Sequence, residues 1–163
     1  MSFFTFNTKI VPPKCDCQSD PFNIRSPGIN LYDSTARQLA EDLAKPELLV
    51  EKKRGKERWW EVISDKDANK PTQIRKIYDE LCMWEQKTRD VETFAKLLPF
   101  IKMMNAKVAY ARGRELVDEK FVAWFSTCMD QIREPNEAGL SSFKNFRTHF
   151  EAFLGFFKQA RPS

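Results

Sequence analysis

From Thr72 onward, apolar residues recur every three or four positions, which is the period of a helix that buries one face. The pattern occurs in four segments, and Pro135 and Gly139 break the chain before the last of them. Pro99 lies inside the second segment, where it must kink the helix or start a new one. Four such helices with short connections predict a bundle with an aromatic core. The stripes are Ile74, Ile77, Tyr78, Leu81 and Trp84; Leu97, Ile101, Met104, Val108 and Ala111; Phe121, Val122, Phe125, Cys128, Met129 and Ile132; and Phe143, Phe146, Phe150, Phe153, Leu154 and Phe157.

Upstream of these stripes the pattern is less regular. Asp33 or Ser34 can cap a short helix that ends before Pro46. Residues 1–33 contain several prolines and show no period, so we expect an irregular arm there. The prediction is an all-α fold, a compact helical bundle of about five helices, formed by a single domain at residues 34–163 and preceded by the arm.

A basic segment, KKRGKERWW, separates the short helix from the first stripe. The segment fits a solvated loop, and it also fits a basic finger that binds a polyanion. Trp59 and Trp60 are adjacent and must point to different faces, so at least one indole lies at a surface or an interface. Five cations surround Gly55, namely Lys52, Lys53, Arg54, Lys56 and Arg58.

The composition is that of a soluble globular domain, with 42% hydrophobic and 31% charged residues. Only 5 of the 163 residues are glycine, which favours helices over a many-stranded sandwich. No apolar run reaches the roughly 18–20 residues that cross a bilayer. The first residues also lack the basic-then-apolar order of a signal peptide. We therefore expect a cytoplasmic protein.

The residue patterns of enzymes and metal sites are missing. His149 is the only histidine, so no serine or cysteine has a histidine base of its own. Cys15 and Cys17 lack the further ligands of a zinc site, whereas Cys82 and Cys128 lie in apolar helical patterns and are expected in the core. No phosphate-binding loop or dinucleotide motif occurs. We expect neither an enzyme nor a bound metal or cofactor.

The charge pattern gives a positive clue. Residues 93–114 contain no Asp or Glu, although the whole chain carries a net charge of only +4. If one helix runs through this window, Lys96, Lys107 and Arg114 fall within about 20° of one another on the helical wheel. Tyr110 lies near the same line. Such a row, about 27 Å long, can follow several phosphates of one nucleic-acid strand.

A second anion site is suggested by the segment PTQIRK. Thr72 can cap the helix that begins there, and a helix start offers free amides and the positive end of the dipole. Gln73, Arg75 and Lys76 would stand beside those amides. The combination suits a phosphate, although a plain helix start accounts for it equally well.

Three motifs occur in order along the helical part of the chain: TQIRK at Thr72, YARGRE at Tyr110 and FEAFLGFFK at Phe150. Together they resemble the small subunit of Csm-type (type III-A) CRISPR RNA-guided effector complexes. The resemblance covers residues 72–158 and extends weakly upstream. Two positions depart from the family pattern, since Pro71-Thr72 replaces Thr-Ser and Arg112 replaces a small residue.

The resemblance implies a subunit without catalytic activity. Several copies would stack along the guide RNA–target RNA duplex, beside the backbone subunits and the large Cas10-type subunit, and hold RNA phosphates. Exposed Trp60 and Phe156 would then meet neighbouring copies. The alternative is a helical adaptor that binds only protein, with its cations merely solvated. By motif position the RNA contacts are Gln73, Arg75, Lys76, Arg112 and Arg114, and the helical wheel adds Lys96 and Lys107.

Overall fold

The computed structural model describes residues 20–45, 47–64 and 68–161, and these form six helices and one two-stranded antiparallel sheet. Cys15 and Cys17 lie outside the described residues. The fold is mainly helical, but the all-α prediction is corrected by the sheet. Only Met103 separates α3 from α4, so the helix count is close to the five expected. The elements are α1 Ser34–Ala44, β1 Glu47–Arg54, β2 Glu57–Ser64, α2 Pro71–Lys87, α3 Val91–Lys102, α4 Met104–Gly113, α5 Glu119–Gln131 and α6 Glu137–Ala160.

The core is organised around the aromatic face of α6. Every phenylalanine of the predicted stripe on this helix is buried, and α6 packs against α1, α2, α3 and α5. Trp124 of α5 meets Phe150 edge to face, with ring centroids 5.0 Å apart. Each buried phenylalanine contributes about 2 kcal/mol of burial energy, so this face holds the helices together. Cys128 is buried here as predicted, and burial raises the pKa of its thiol.

Side-chain caps define three of the helix starts. The Asp90 carboxylate accepts from the Thr93 amide at 2.7 Å, and the Asp118 carboxylate accepts from the Phe121 amide at 2.8 Å. Asn136 caps α6 in the same way. Asp33 is the N-cap residue of α1, as predicted, but its side chain makes no capping hydrogen bond. These local bonds fix where α3, α5 and α6 begin.

The described part of the N-terminal arm, residues 20–33, is irregular but docked. Ile24 and Leu31 are buried in the core. Gln131 accepts from the Ile24 amide at 2.9 Å and donates to the Phe22 carbonyl at 2.7 Å. His149 binds the Leu31 carbonyl at 2.8 Å. Polar side chains of α5 and α6 therefore hold a segment that has no secondary structure of its own.

Phe156 of α6 was predicted to face a neighbouring copy. In the structure it is half-buried, because the Arg37 guanidinium of α1 lies 4.4 Å from its ring centroid. Packing of α1 on α6 within the chain therefore accounts for this off-stripe aromatic.

The basic segment is a β-hairpin, so the prediction of a loop is wrong. Arg54 pairs with Glu57 across a two-residue turn, and Gly55 has a φ of +63°, which L-residues rarely adopt. Trp59 and Trp60 point to opposite faces, as expected, and are 44% and 64% exposed. Neither strand makes more than marginal contact with a described helix. The hairpin thus lies outside the hydrophobic core. Among the described helices, none combines the length and apolarity of a membrane span.

Candidate nucleic-acid interface

A groove of about 430 Å³ lies between α2 and α4. Four positions of α2 line it, together with three positions of α4 and Met103 directly before α4, and the spacing on each side places them on one face. The groove brings together Gln73 and Lys76 from the predicted helix-start site and Lys107 from the predicted cation row. Residues of two candidate anion sites that are separate in the sequence therefore lie together in the fold. The lining residues are Gln73, Lys76, Ile77, Glu80, Met103, Ala106, Lys107 and Tyr110.

Glu80 places a carboxylate inside this groove. Lys107 Nζ forms an ion pair with Glu80 Oε1, and the Trp84 indole donates to the same oxygen at 3.4 Å. The expectation of cations without acidic partners is therefore wrong here, because the partner comes from α2 rather than from residues 93–114. The Lys107 side chain remains 55% exposed. An exposed ion pair of this kind contributes about 0–1 kcal/mol to stability, so another anion that binds Lys107 more tightly can displace the Glu80 carboxylate.

Arg114 stands at the end of α4 next to the groove. The helix ends at Gly113, and the Arg114 amide donates to the Tyr110 carbonyl at 3.1 Å. The Arg114 guanidinium lies 5.8 Å from the centroid of the Tyr110 ring, which is itself 67% exposed and lines the groove. Because Tyr110 also lines the groove, Arg114 lies beside the same groove as Lys76 and Lys107. The negative end of the α4 dipole further favours a cation at Arg114.

The straight row of three free cations is not present. Lys96 lies on α3 and forms a 2.7 Å ion pair with Glu92. Helix α3 does continue through Pro99, but it ends at Lys102, and α4 begins at Met104. Between them the Met103 amide is shared between the Pro99 and Phe100 carbonyls. The helical wheel assumed one continuous helix, and this assumption fails at Met103.

Two other predicted RNA contacts do not line the groove. Arg75 forms a 2.9 Å ion pair with Asp79, and Arg112 forms a 3.2 Å ion pair with Glu119 at the start of α5. Both pairs are exposed, and both cations are on the protein surface. Lys102 belongs to the fold, since its ammonium donates to the Met129 carbonyl and burial lowers its pKa.

The start of α2 differs from the predicted anion site. The helix begins at Pro71, so Thr72 lies in the first turn and is not the cap. The Gln73 and Ile74 amides both donate to the Lys70 carbonyl, at 2.9 and 3.1 Å. The Gln73 amide is thus engaged within the chain, and Pro71 has no amide hydrogen, so this helix start offers fewer free amides than expected. The side chains of Gln73 and Lys76 remain candidate anion contacts because they line the groove.

Sequence reasoning did not identify Glu80 as part of the site. It is adjacent to Asp79, and a pair of neighbouring acids is typical of a solvated helix face. The available signal was the spacing of Gln73, Ile77 and Glu80 at four and three, which places all three on one face. In the described part of the chain, no group of three or more His, Cys, Asp or Glu side chains is arranged to hold a metal.

Comparison with known proteins gives a family match. Residues 57–163 match the family model described as Csm2 Type III-A. The matched region contains β2 and helices α2 to α6, and therefore the whole groove. It leaves out α1 and β1. Neither the curated proteins nor the solved structures gave a match to this chain.

Proposed function

This chain belongs to the Csm2 family of small subunits of the type III-A Csm complex, and from that premise we propose that it is a non-catalytic RNA-backbone-binding subunit. Several copies stack along the guide RNA–target RNA duplex in the cytoplasm. Each copy contacts its neighbours, the backbone subunits and the large Cas10-type subunit. In this proposal Lys and Arg side chains hold phosphates and read no sequence.

The groove between α2 and α4 is the observation that supports this proposal. It gathers Gln73, Lys76 and Lys107, with Arg114 beside it on the Tyr110 ring. Amide, ammonium and guanidinium groups donate to phosphate oxygens, and contacts to phosphate carry no information about the base. A guided complex needs this kind of grip, since base pairing to the guide supplies the specificity.

Glu80 sets the affinity of the groove in this proposal. Without RNA, its carboxylate neutralises Lys107. A phosphate that enters the groove competes with Glu80 for the ammonium, and counterion release favours the phosphate at low salt. Glu80 therefore weakens binding to any single phosphate, and tight binding requires several copies acting along one duplex.

The test measures the binding of target RNA to the reconstituted complex at several salt concentrations. We expect the double variant Lys76→Gln/Lys107→Gln to lower affinity about tenfold. It should also flatten the slope of log K against log salt by about 0.9 per lost phosphate contact. The matched control is Lys120→Gln/Lys144→Gln, which removes two exposed charges from α5 and α6. A groove variant that keeps the slope of this control would overturn the proposal.

A single substitution that should raise RNA affinity, rather than lower it, provides a second test. Glu80→Gln removes the competing charge and keeps an acceptor for the Trp84 indole. RNA affinity should rise a few-fold, since Lys107 no longer has to leave a carboxylate. Unchanged or weaker RNA binding by Glu80→Gln would show that phosphates do not enter this groove.

A helical adaptor that binds only protein is the second candidate. Three apolar side chains, Phe100, Met103 and Tyr110, are exposed along α3 and α4, and such a stripe favours a protein partner. The adaptor is favoured if Met103→Ser prevents assembly of the complex while the groove variants leave RNA binding intact.

A further inference from the structure

We propose that the β1–β2 hairpin is a second RNA site, distinct from the groove, and that its Trp60 face binds unpaired nucleotides. On this face a base stacks on the Trp60 indole while Lys53 and Lys56 hold the adjoining phosphates. The inference does not rest on the groove, because it uses different residues and a different form of RNA. More than half of the hairpin, β1 and its turn, precedes the region that matches the family model.

The exposure of the hairpin's side chains is the first observation. Every described side chain from Glu51 to Glu61 is exposed, including both tryptophans. An isolated two-stranded hairpin is marginally stable, and aromatic residues are normally its chief source of packing. Here the indoles cover no core. Two large apolar rings kept in water on a protruding ribbon are typical of a surface that contacts a ligand.

The charges of the hairpin are the second observation. Residues 51–61 hold five Lys or Arg and three Glu. Two of the glutamates are engaged, in the pairs Arg58–Glu51 at 3.5 Å and Lys52–Glu61 at 3.8 Å. Among the described residues, no carboxylate pairs with the remaining three cations, which lie at and beside the turn. These are Lys53, Arg54 and Lys56.

The strand register separates the two faces of the hairpin. Lys53 lies opposite Arg58, and Glu51 lies opposite Trp60, so these four side chains share the Trp60 face. Within residues 51–61 the charges on this face sum to +1. The Trp59 face carries Lys52, Arg54, Glu57 and Glu61, whose charges cancel. Because Trp60 is also the more exposed indole, an anionic ligand with a flat apolar group favours the Trp60 face.

Unpaired RNA has the chemistry that this face requires. A cation next to an exposed aromatic ring binds single strands, since the ring stacks on a base while the cation holds the phosphate. In a duplex the base faces are already stacked and leave no surface for an indole. The hairpin is therefore suited to nucleotides outside the paired region, whereas the groove holds the backbone and needs no free base.

The experiment measures fluorescence anisotropy of a labelled 12-nucleotide oligouridine and of a labelled RNA duplex of the same length, each titrated with the full chain. Trp60→Val keeps a strand-forming residue but removes the ring, and we expect it to weaken oligouridine binding about tenfold. Trp60→Tyr restores most of the affinity. Trp59→Val, the adjacent residue on the opposite face, changes it less than threefold. Duplex binding stays within twofold for all three variants.

A charge series tests the phosphate contacts. Lys53→Gln/Lys56→Gln should weaken oligouridine binding and flatten its salt dependence, whereas Lys120→Gln/Lys144→Gln should do neither beyond the loss of overall charge. The inference is overturned by wild-type binding in Trp60→Val or by no measurable oligouridine binding in the native chain. An equal loss of duplex binding in the hairpin variants would also overturn it. Hairpin variants that bind RNA normally but no longer assemble into the complex would overturn it too, because they would identify the hairpin as a protein-docking element. The groove variants are read separately, on duplex RNA.

Discussion

The aromatic face of α6 and the β1–β2 hairpin use the same class of side chain in opposite ways. Phe150 is fully buried and contacts Tyr78, Phe121 and Trp124, whereas Trp60 is 64% exposed. The buried rings stabilise the fold because they leave water when the chain folds. The exposed ring contributes little to folding, and it stays available to a ligand. The environment of an aromatic residue, more than its type, decides whether it serves stability or binding.

The indole nitrogens show the same difference. Trp124 donates to His149 Nε2 at 3.1 Å, so its one polar group is satisfied inside the core. The N–H groups of Trp59 and Trp60 have no hydrogen-bond acceptor among the described residues and are left to solvent. A core aromatic with a partner for its N–H specifies one packing arrangement. The two hairpin indoles are not fixed in one arrangement by a hydrogen bond of this kind.

Truncating one ring in each region should separate the two roles most clearly. Phe150→Ala leaves a cavity in the core and should lower the free energy of unfolding by about 3–5 kcal/mol. Trp60→Val should change it by less than about 0.5 kcal/mol. Urea unfolding followed by far-ultraviolet circular dichroism measures both values. A loss of similar size in Trp60→Val would mean that the hairpin packs on the helical core.

Acid should weaken the core. His149 is buried, and burial lowers its pKa from 6.5 to about 4. The neutral ring, whose Nδ1 donates to the Leu31 carbonyl while Nε2 accepts from Trp124, is thus the folded form. Because the folded pKa lies below the unfolded one, this stability is complete above pH 6.5. It is lost as the pH falls toward 4, by up to about 3 kcal/mol.

The measurement is the free energy of unfolding from pH 7 to pH 4.5. His149 is the only histidine, so His149→Gln should reduce the slope between pH 6.5 and 5. An equal slope in the wild type and the variant would exclude this histidine as its source.

Two glycines give a smaller contrast between the same regions. A Cβ added at Gly139 would lie 1.8 Å from the Glu134 carbonyl oxygen, so Gly139→Ala must shift backbone at the start of α6 and should cost about 1–3 kcal/mol of global stability. A Cβ at Gly55 meets nothing within 4 Å, but the φ of +63° costs about 1 kcal/mol in the turn alone. Gly55→Ala should leave the global unfolding midpoint within 2 °C, which thermal melts check. A shift as large as that of Gly139→Ala would contradict independence of the hairpin.

The helical core was predictable because its signal is local. A residue such as Phe146 repeats at the helical period, and periodicity survives whatever the helix packs against. The hairpin was missed because Lys52, Lys53 and Arg54 replace the alternation of apolar and polar residues that marks a strand. Its remaining signals were Gly55 and the paired tryptophans, and these also fit a loop.

The candidate site was predictable only in part. Lys76 and Lys107 were predicted RNA contacts and both are exposed, but their meeting in one groove depends on how α2 and α4 pack. The ion pair between Lys107 and Glu80 joins residues 27 positions apart, which no local pattern reveals. The end of α3 at Lys102 carries no glycine or proline signal of its own, so the helical wheel could not show it.

The most direct test of the central claim is an experimental structure of the assembled type III-A complex with guide and target RNA bound. The account predicts phosphate oxygens about 3 Å from the ammonium groups of Lys76 and Lys107, with Glu80 displaced from its partner. A groove between α2 and α4 that is filled by a neighbouring protein surface, with Lys107 still paired to Glu80, would contradict it.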